Sequence, residues 1–317
     1  INGKSFFGNL AKMPHVLIAG ATGSGKSVTI HALITSLLYR NSPDNLRLIM
    51  IDPKRVELTL YNKIPHLLTP VITQPKQAIL ALKWAAKEMD RRYDILEKEV
   101  VRDIESYHKN ITEKHRSKTD QHRSNQSQSV DNQGKSVPEE MPYIVIVLDE
   151  LADIMTSYPR ELESAIVRLA QMSRAVGIHL ILSTQRPSVN VITGLIKANV
   201  PARIALQVAS QIDSRTILDG SGAEKLLGAG DMLYLSGEMS QPERLQSAFI
   251  TENEVKNVVK YLASLYKDAL PSEILLSGNI SSEKTIFDGN LEDDASEDDD
   301  EMYEQARQAV MEAGKAS

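Results

Sequence analysis

Eight residues from Gly20 to Ser27 have the types and spacing of a loop that binds phosphate. They read GATGSGKS and match the pattern G-x-x-x-x-G-K-[ST]. Glycines let such a loop fold tightly and direct successive backbone N–H groups at a phosphate, and the N-terminus of a following helix adds partial positive charge. Lys26 is expected to reach the β- and γ-phosphates, and the Ser27 hydroxyl is expected to bind Mg²⁺. The sequence therefore predicts a site for ATP and Mg²⁺. Its expected nucleotide contacts are Gly20, Ala21, Thr22, Gly23, Ser24, Gly25, Lys26, Ser27 and Val28.

Two adjacent carboxylates follow the apolar run YIVIVL at 143–148. The run is typical of a buried strand, and the carboxyl ends of strands in α/β sheets collect ligands. Asp149 is expected to hold Mg²⁺ through water. Glu150 is expected to polarise a water that attacks the γ-phosphate, a role that a kinase would not need at this position. The alternative is a solvated strand end, which an intact phosphate loop earlier in the chain argues against.

Three further polar residues are candidates for contact with the nucleotide. Gln185 follows the next apolar run, and it is either a sensor of the γ-phosphate or a strand-end amide satisfied by the backbone. Arg174 and Arg203 are candidates for an arginine finger, a residue that stabilises transition-state charge and is worth roughly 10³–10⁵ in rate. The alternative for each arginine is an ordinary surface position.

The elements that must position these residues alternate between strands and helices. The phosphate loop lies between a predicted buried strand at 15–19 and a predicted helix at 28–39, which argues against a chance match in a glycine-rich turn. Other strands are predicted at 46–51, 143–148, 178–182 and 202–208, with a terminal hairpin at 231–235 and 245–250. Other helices are predicted at 77–99, 160–175 and 255–266. This alternation predicts an α/β fold with a mostly parallel sheet covered by helices on both faces.

Composition excludes some classes of protein and leaves others open. The 317 residues include no cysteine, so disulfides and thiolate metal sites are excluded. No apolar run approaches the ~18 residues of a membrane span, and no signal peptide is visible. The net charge of −6 is uneven, because 291–317 hold ten acidic and two basic residues and the remainder is therefore about +2. Overall charge thus neither supports nor excludes a nucleic-acid partner.

Composition also divides the chain into segments. Residues 1–12 are a polar lead-in that could end a hairpin of a preceding domain, and a first residue other than Met suggests a fragment. Residues 108–140 are polar and are predicted to be a disordered insertion. Its histidines recur every seven residues, at His108, His115 and His122, but a solvated loop is favoured over a metal site. Residues 271–301 are predicted to be an acidic linker, and 302–317 resume a helical pattern.

Five segments together resemble the FtsK/SpoIIIE family of DNA translocases. They are LAKMPHVLIAGATGSGKS, LIMIDPKRVELTLYNKIPHLL, YIVIVLDELADIM, RLAQMSRAVGIHLILSTQRPSVNVITGLIKANVPARIAL and DSRTILDGSGAEKLLGAGDMLY. The resemblance covers about Gly3 to Leu265. It implies a RecA-like P-loop NTPase at 13–270 that forms a homo-hexameric ring around double-stranded DNA and moves along it with ATP. It also implies a role in chromosome segregation, with division-site and recombination proteins as partners.

The resemblance implies further features of domains and site. Residues 1–12 would be the remnant of a preceding motor subdomain, and 302–317 the truncated start of a winged-helix domain. The full-length protein would be anchored at the cytoplasmic side of the cell membrane. Lys26, Asp149, Glu150 and Gln185 would act in catalysis, with Arg174 as a finger for the neighbouring subunit. The residues expected to contact DNA are Arg186, Ser188, Asn190, Thr193 and Lys197.

Two positions depart from the family pattern, and two other functions stay open. Asn190 stands where many relatives have Asp, and Gln211 stands where some have Lys, so a cationic role at 211 is doubtful here. One alternative function is a related ring ATPase that moves protein in secretion or conjugation. The other is an inactive nucleotide-binding scaffold, which the intact catalytic motifs argue against.

Overall fold

The computed structural model of the protein describes residues 3–113 and 138–266. Its strands are β1 (His15–Ala19), β2 (Leu46–Ile51), β3 (Tyr143–Leu148), β4 (Ile178–Thr184), β5 (Ala202–Leu206), β6 (Asp231–Leu235) and β7 (Glu243–Gln246). Its α-helices are α1 (Lys26–Arg40), α2 (Pro75–Lys98), α3 (Ile104–Tyr107), α4 (Leu151–Ser157), α5 (Pro159–Met172), α6 (Gly194–Asn199), α7 (Gln211–Leu218) and α8 (Glu252–Leu265).

The seven strands form one sheet in the order β2-β3-β4-β1-β5-β6-β7. The first five strands in that order are parallel, and β6 and β7 continue the sheet in antiparallel fashion. The predicted mostly parallel sheet is therefore confirmed. Strand β4 lies between β1 and β3, so the residues that follow β4 lie between the phosphate loop and the two carboxylates.

Both faces of the sheet are covered. Leu17 and Ile18 are neighbours on β1 and both are fully buried, although successive strand residues point to opposite faces. On one face, apolar residues of α1 and α8 share a core cluster with alternate residues of β1, β2 and β3. Helices α2 and α5 pack against each other elsewhere in the fold. The prediction of helices on both faces is confirmed.

Two predicted boundaries at the end of the domain were wrong. The second hairpin strand is Glu243–Gln246 rather than 245–250, and its side chains are mostly exposed. This strand lies at the edge of the sheet and its side chains are mostly in solvent. Its sequence therefore lacks the apolar pattern that predicts a buried strand. Helix α8 starts at Glu252 rather than at 255 because Thr251 and Glu254 form a capping box that precedes the apolar stripe.

The first residues of the segment predicted to be a disordered insertion, 108–140, are helical. Residues His108–Thr112 form a π-helical turn that continues α3, and His108 Nε2 lies 2.7 Å from the Met141 carbonyl oxygen. Tyr107 is buried and anchors this turn. His115, His122 and the rest of 114–137 lie outside the described residues, and no metal-binding group of three or more ligands occurs in the described part.

The remaining domain predictions concern segments near the two ends of the chain. Residues 3–12 contain no strand, so the suggested hairpin is not observed. Instead, the Phe6 ring lies 5.4 Å from the Tyr234 ring, and Leu10 packs against the core. The predicted acidic linker and winged-helix start, 271–301 and 302–317, lie outside the described residues. Within 3–113 and 138–266, every helix is too short or too polar to cross a membrane.

Candidate functional site

The phosphate loop lies at the carboxyl end of β1, between β4 and β5. Its entry is fixed by two backbone hydrogen bonds: Gly20 N–H donates to the Thr184 carbonyl at 3.3 Å, and Ala21 N–H donates to the Gln207 carbonyl at 2.9 Å. Strand β5 ends at Leu206, short of the predicted Val208. The loop is thus fixed to both neighbouring strands.

The exit of the loop is held against a glycine turn before β6. Gly25 is the N-cap of α1 with a φ of 98°, a conformation that favours glycine. A Cβ atom at Gly25 would lie 2.4 Å from the Gly230 nitrogen, and Gly230 N–H donates to the Ser24 carbonyl at 2.9 Å. The loop therefore needs glycine at 25 for its φ value and for close backbone packing.

Gly25→Ala is expected to destabilise the fold by more than the ~1–3 kcal/mol that a left-handed non-glycine residue costs, because the Cβ also meets backbone. Each ~1 kcal/mol lowers the Tm of a domain this size by about 2–4 °C. Gly23→Ala isolates the backbone cost, since Gly23 has a φ of 83° and open space around it. Gly194→Ala has neither problem. In thermal melts the Tm should fall most in Gly25→Ala, less in Gly23→Ala and least in Gly194→Ala. An equal fall in Gly25→Ala and Gly23→Ala would contradict the packing argument.

Lys26 lies in a buried polar cluster with Asp149. Its side chain is 3% exposed, and its ammonium pairs with the Asp149 carboxylate and donates to Ser183 Oγ at 3.1 Å. Ser183 Oγ also donates to Asp149 Oδ1 at 2.9 Å. The cluster thus joins the loop after β1 to the ends of β3 and β4. Ser183 was not among the predicted site residues, because in the sequence it looks like an ordinary small residue in an apolar strand.

The side-chain oxygen atoms near Lys26 are of the kind that coordinate magnesium. Asp149 Oδ2 is buried and has no hydrogen-bond partner among the described residues. The Ser27 hydroxyl donates its hydrogen to Glu57 Oε1 at 2.8 Å, which leaves its lone pairs free. Mg²⁺ prefers a few carboxylate or hydroxyl oxygens together with phosphates and water. Ser27 and Asp149 can therefore hold Mg²⁺ beside a phosphate on the loop.

Glu150 is fully buried, and it has a φ of 68° at the start of α4. Its carboxylate accepts hydrogen bonds from Thr184 Oγ1 at 2.7 Å and from the Gln185 N–H at 3.2 Å. Lys54 Nζ donates to it at 3.1 Å. Burial alone would raise the pKa of Glu150, but the hydrogen bonds from Thr184, Lys54 and Gln185 together lower it below its usual value. The group is thus an ionised carboxylate next to Asp149, which is what a base for water activation requires.

Gln185 contacts the phosphate loop directly. Its Oε1 accepts a hydrogen bond from Thr22 Oγ1 at 3.1 Å, while its N–H donates to Glu150. Gln185 therefore contacts the loop through its side chain and the second carboxylate through its backbone N–H. The amide of Gln185 thus contacts a loop side chain rather than backbone, and its role as a sensor of the γ-phosphate stays a prediction.

Glu57 is a site residue that was not predicted from the sequence. Besides the bond from Ser27, its Oε2 lies 3.5 Å from His31 Nε2, and this contact is the largest of those that lower the pKa of the Glu57 carboxyl below its usual value. Its backbone N–H donates to Asp52 Oδ2 at 2.9 Å. In the sequence, Glu57 is only an acidic residue five positions after Asp52, where the apolar run of β2 has ended. That spacing does not indicate that its side chain reaches the phosphate loop.

The two candidate finger arginines lie away from this cluster. Arg174 is exposed in the turn before β4. It therefore lies at the amino end of the parallel strands, whereas the phosphate loop lies at their carboxyl end. It is close enough to His15, the first residue of β1, to contribute with burial and His179 to lowering the pKa of His15 to about 3. Arg203 donates to Asp219 Oδ2 at 2.6 Å and to the Lys197 carbonyl at 3.0 Å. Arg203 is thus held inside its own fold, whereas Arg174 points outward.

The loop after β4 presents exposed polar groups. Arg186, Ser188 and Asn190 are exposed, and the Arg186 side chain is 66% accessible with Asp153 as a distant partner at 3.9 Å. Two of the five residues expected to contact DNA have partners within the fold. Thr193 caps α6 by accepting from the Ile196 N–H, and Lys197 Nζ donates to Asp219 Oδ1 at 2.7 Å.

Comparison with known proteins agrees with this architecture. A family described as FtsK/SpoIIIE matches residues 1–189. DNA translocase FtsK of Treponema pallidum (strain Nichols) is 49% identical over 310 residues, which are 98% of this chain and 35% of that protein. DNA translocase FtsK of Caldanaerobacter subterraneus subsp. tengcongensis is 50% identical over 317 residues, which are 100% of this chain and 40% of that protein. The chain therefore spans well under half the length of these relatives.

Solved structures share the same fold. The pCW3 conjugation coupling protein TcpA, solved with ATPγS, is 28% identical with a TM-score of 0.63 over 80% of this chain and 66% of that chain. The cytoplasmic domain of the type VII secretion ATPase EccC of Thermomonospora curvata is 24% identical with the same TM-score, over 79% of this chain and 28% of that chain, and it supports the fold alone. Because the family match covers more than half of the sequence and relatives align along nearly all of it, the chain belongs to the FtsK/SpoIIIE family.

Proposed function

We propose that this chain is the ATPase motor of a double-stranded DNA translocase that serves chromosome segregation at cell division. The observation that carries the proposal is the buried constellation at one edge of the sheet: Lys26 and Asp149 in contact, with ionised Glu150 and Gln185 beside them. The relatives that share about half of their residues with this chain are named DNA translocase FtsK. Those names favour DNA over protein as the track.

Each residue has a distinct part in the proposed hydrolysis of ATP. Lys26 exchanges its contact with Asp149 for the β- and γ-phosphates, which leaves the Asp149 carboxylate for Mg²⁺. Glu150 orients the attacking water and accepts its proton as the water oxygen bonds to the γ-phosphorus, while the bond to the β–γ bridging oxygen breaks and ADP leaves. Gln185 contacts the γ-phosphate from the end of β4. Mg²⁺, held by Ser27 and Asp149, would neutralise negative charge on the phosphate oxygens.

The proposed grip on DNA uses the exposed loop after β4. A motor that moves along any sequence must contact phosphates rather than base edges. Short loops repeated around a ring can do this without a basic domain, which reconciles the near-neutral body with a polyanionic track. We assign DNA contact to Arg186, Ser188 and Asn190, with smaller contributions from Thr193 and Lys197 because these two already have partners.

The proposal includes assembly as a hexamer. It also places the full-length protein at the cytoplasmic side of the cell membrane, with division-site and recombination proteins as partners.

The decisive experiment is ATP turnover with and without linear duplex DNA, together with electron microscopy for rings. Turnover that does not respond to DNA would contradict the translocase and favour the protein-moving alternative. A chain with no turnover at all under either condition would support the scaffold.

Arg186→Ala is expected to weaken the DNA stimulation of turnover and to reduce its salt dependence. For every DNA phosphate that the variant no longer neutralises, the slope of log K against log salt should change by about 0.9. The measurement is the DNA concentration for half-maximal stimulation at several salt concentrations. Lys197→Ala is the matched comparison, since its ammonium is already neutralised by Asp219 and its side chain is only 20% exposed. A larger slope change for Lys197→Ala than for Arg186→Ala would contradict this assignment.

A further inference from the structure

Glu57 is placed against the serine of the phosphate loop by a dedicated set of contacts. Its Oε1 accepts the hydrogen bond of the Ser27 hydroxyl at 2.8 Å. Its side chain is 28% exposed, so it is held at the mouth of the site rather than deep in the core. Glu57 lies in one of the five segments that carry the family resemblance, but the sequence predicted no site role for it, although it contacts one of the two side chains that can hold Mg²⁺.

The backbone of Glu57 is fixed by a buried carboxylate at the end of β2. Asp52 Oδ2 accepts from the Glu57 N–H and from the Leu58 N–H, each at 2.9 Å. Leu58 itself is fully buried and starts a 3-10 turn at Leu58–Tyr61. The position of Glu57 is therefore set by the strand that precedes it and by the core beneath it.

A second contact fixes the carboxylate group. Glu57 Oε2 lies 3.5 Å from His31 Nε2, and His31 Nδ1 lies 3.0 Å from the Tyr61 hydroxyl. Tyr61 is fully buried. The chain Tyr61–His31–Glu57–Ser27 thus runs from the core to the loop and leaves one carboxylate oxygen for the serine.

A serine hydroxyl has one hydrogen and two lone pairs. When the hydrogen points at Glu57, the lone pairs must point elsewhere, and an anionic acceptor makes the oxygen a better donor to a cation. Groups that orient metal ligands in this way typically change metal affinity by about 10–100-fold. We propose that Glu57 is a positioning residue for the metal site, which holds the Ser27 hydroxyl in the orientation that binds Mg²⁺. The inference rests on the proposed function, since it assumes that the loop binds Mg²⁺ with ATP.

The test measures metal binding rather than turnover. Mn²⁺ replaces Mg²⁺ and is titrated by electron paramagnetic resonance into the chain with a non-hydrolysable ATP analogue. Glu57→Ala is expected to weaken Mn²⁺ binding to that complex by about 10–100-fold. Nucleotide affinity in EDTA should stay the same or rise, because a negative charge near the phosphates is lost. Glu57→Gln keeps the shape and an acceptor oxygen, so its Mn²⁺ affinity should lie between those of the wild type and Glu57→Ala. Glu97→Ala, an exposed carboxylate on α2, should match the wild type.

A double-mutant cycle separates action through Ser27 from a direct role. In Ser27→Ala, adding Glu57→Ala should have little further effect, because the hydroxyl that Glu57 orients is gone. The nucleotide phosphates bind Mn²⁺ themselves, so affinity stays measurable in this background. An undiminished effect of Glu57→Ala there, or no effect in the wild-type background, would overturn the inference. If the wild type binds no nucleotide with Mn²⁺, the proposed function itself fails.

Discussion

Glu150→Gln is expected to lower DNA-stimulated ATP turnover by about 10²–10⁴-fold, the range for loss of a general base. Nucleotide binding should persist, because Lys26 and the loop are untouched. Glutamine has nearly the same shape, and its carbonyl oxygen can still accept from Thr184 and from the Gln185 N–H. The lost property is the negative charge that draws a proton from water. Steady-state turnover and binding of a fluorescent ATP analogue measure the two effects separately.

The surroundings of Glu150 suggest the controls for this variant. Lys54 Nζ contacts Glu150 and its side chain is one-third exposed, so its charge stays solvated when the partner is neutral. The fold should therefore survive, and thermal melts check it. Glu161→Gln removes an exposed carboxylate in the first turn of α5 and should leave turnover unchanged. Turnover of Glu150→Gln within a few-fold of the wild type would exclude Glu150 as the base.

Local patterns in the sequence predicted much of the fold and the catalytic motifs. The strands β1 to β4 are nearly continuous apolar runs, because parallel strands are buried on both faces. The phosphate loop and the Asp149-Glu150 pair follow two such runs directly, and in the predicted parallel sheet this places both at the carboxyl end of the strands. The edge strand β7 was predicted with the wrong bounds and the helical turn at 108–112 was missed, because exposed or polar segments carry no such pattern.

The contacts between distant segments could not be predicted from the sequence. Ser183 bridges Lys26 and Asp149 only because β4 lies between β1 and β3, and a single sequence does not give that strand order. Glu57 reaches Ser27 because a 3-10 turn and a buried aspartate fold the chain back toward α1. Lys54 pairs with Glu150 across 96 positions. In each case the residue type is ordinary and only the tertiary structure shows its neighbour.

The position of Arg174 leads to a prediction about assembly. Strand β4 has seven residues, so at ~3.3 Å per residue the turn before it lies roughly 20 Å from the phosphate loop of the same chain. An arginine side chain cannot cover that distance, so the finger role that the family resemblance implies for Arg174 requires ATP bound to a neighbouring subunit. Arg174→Ala is therefore expected to lower turnover by about 10³–10⁵-fold without weakening nucleotide binding.

Mixing two inactive variants tests this prediction most directly. Lys26→Ala has a defective loop but an intact Arg174, and Arg174→Ala has the opposite defect. If the arginine acts across the subunit interface, a mixed ring contains productive neighbours, and turnover at constant total protein should rise to a maximum at intermediate ratios. Arg160→Ala, an exposed arginine at the start of α5, serves as the control and should stay active alone. A mixture that is no faster than the sum of its separate components, in rings confirmed by electron microscopy, would show that Arg174 does not complete the neighbour's site.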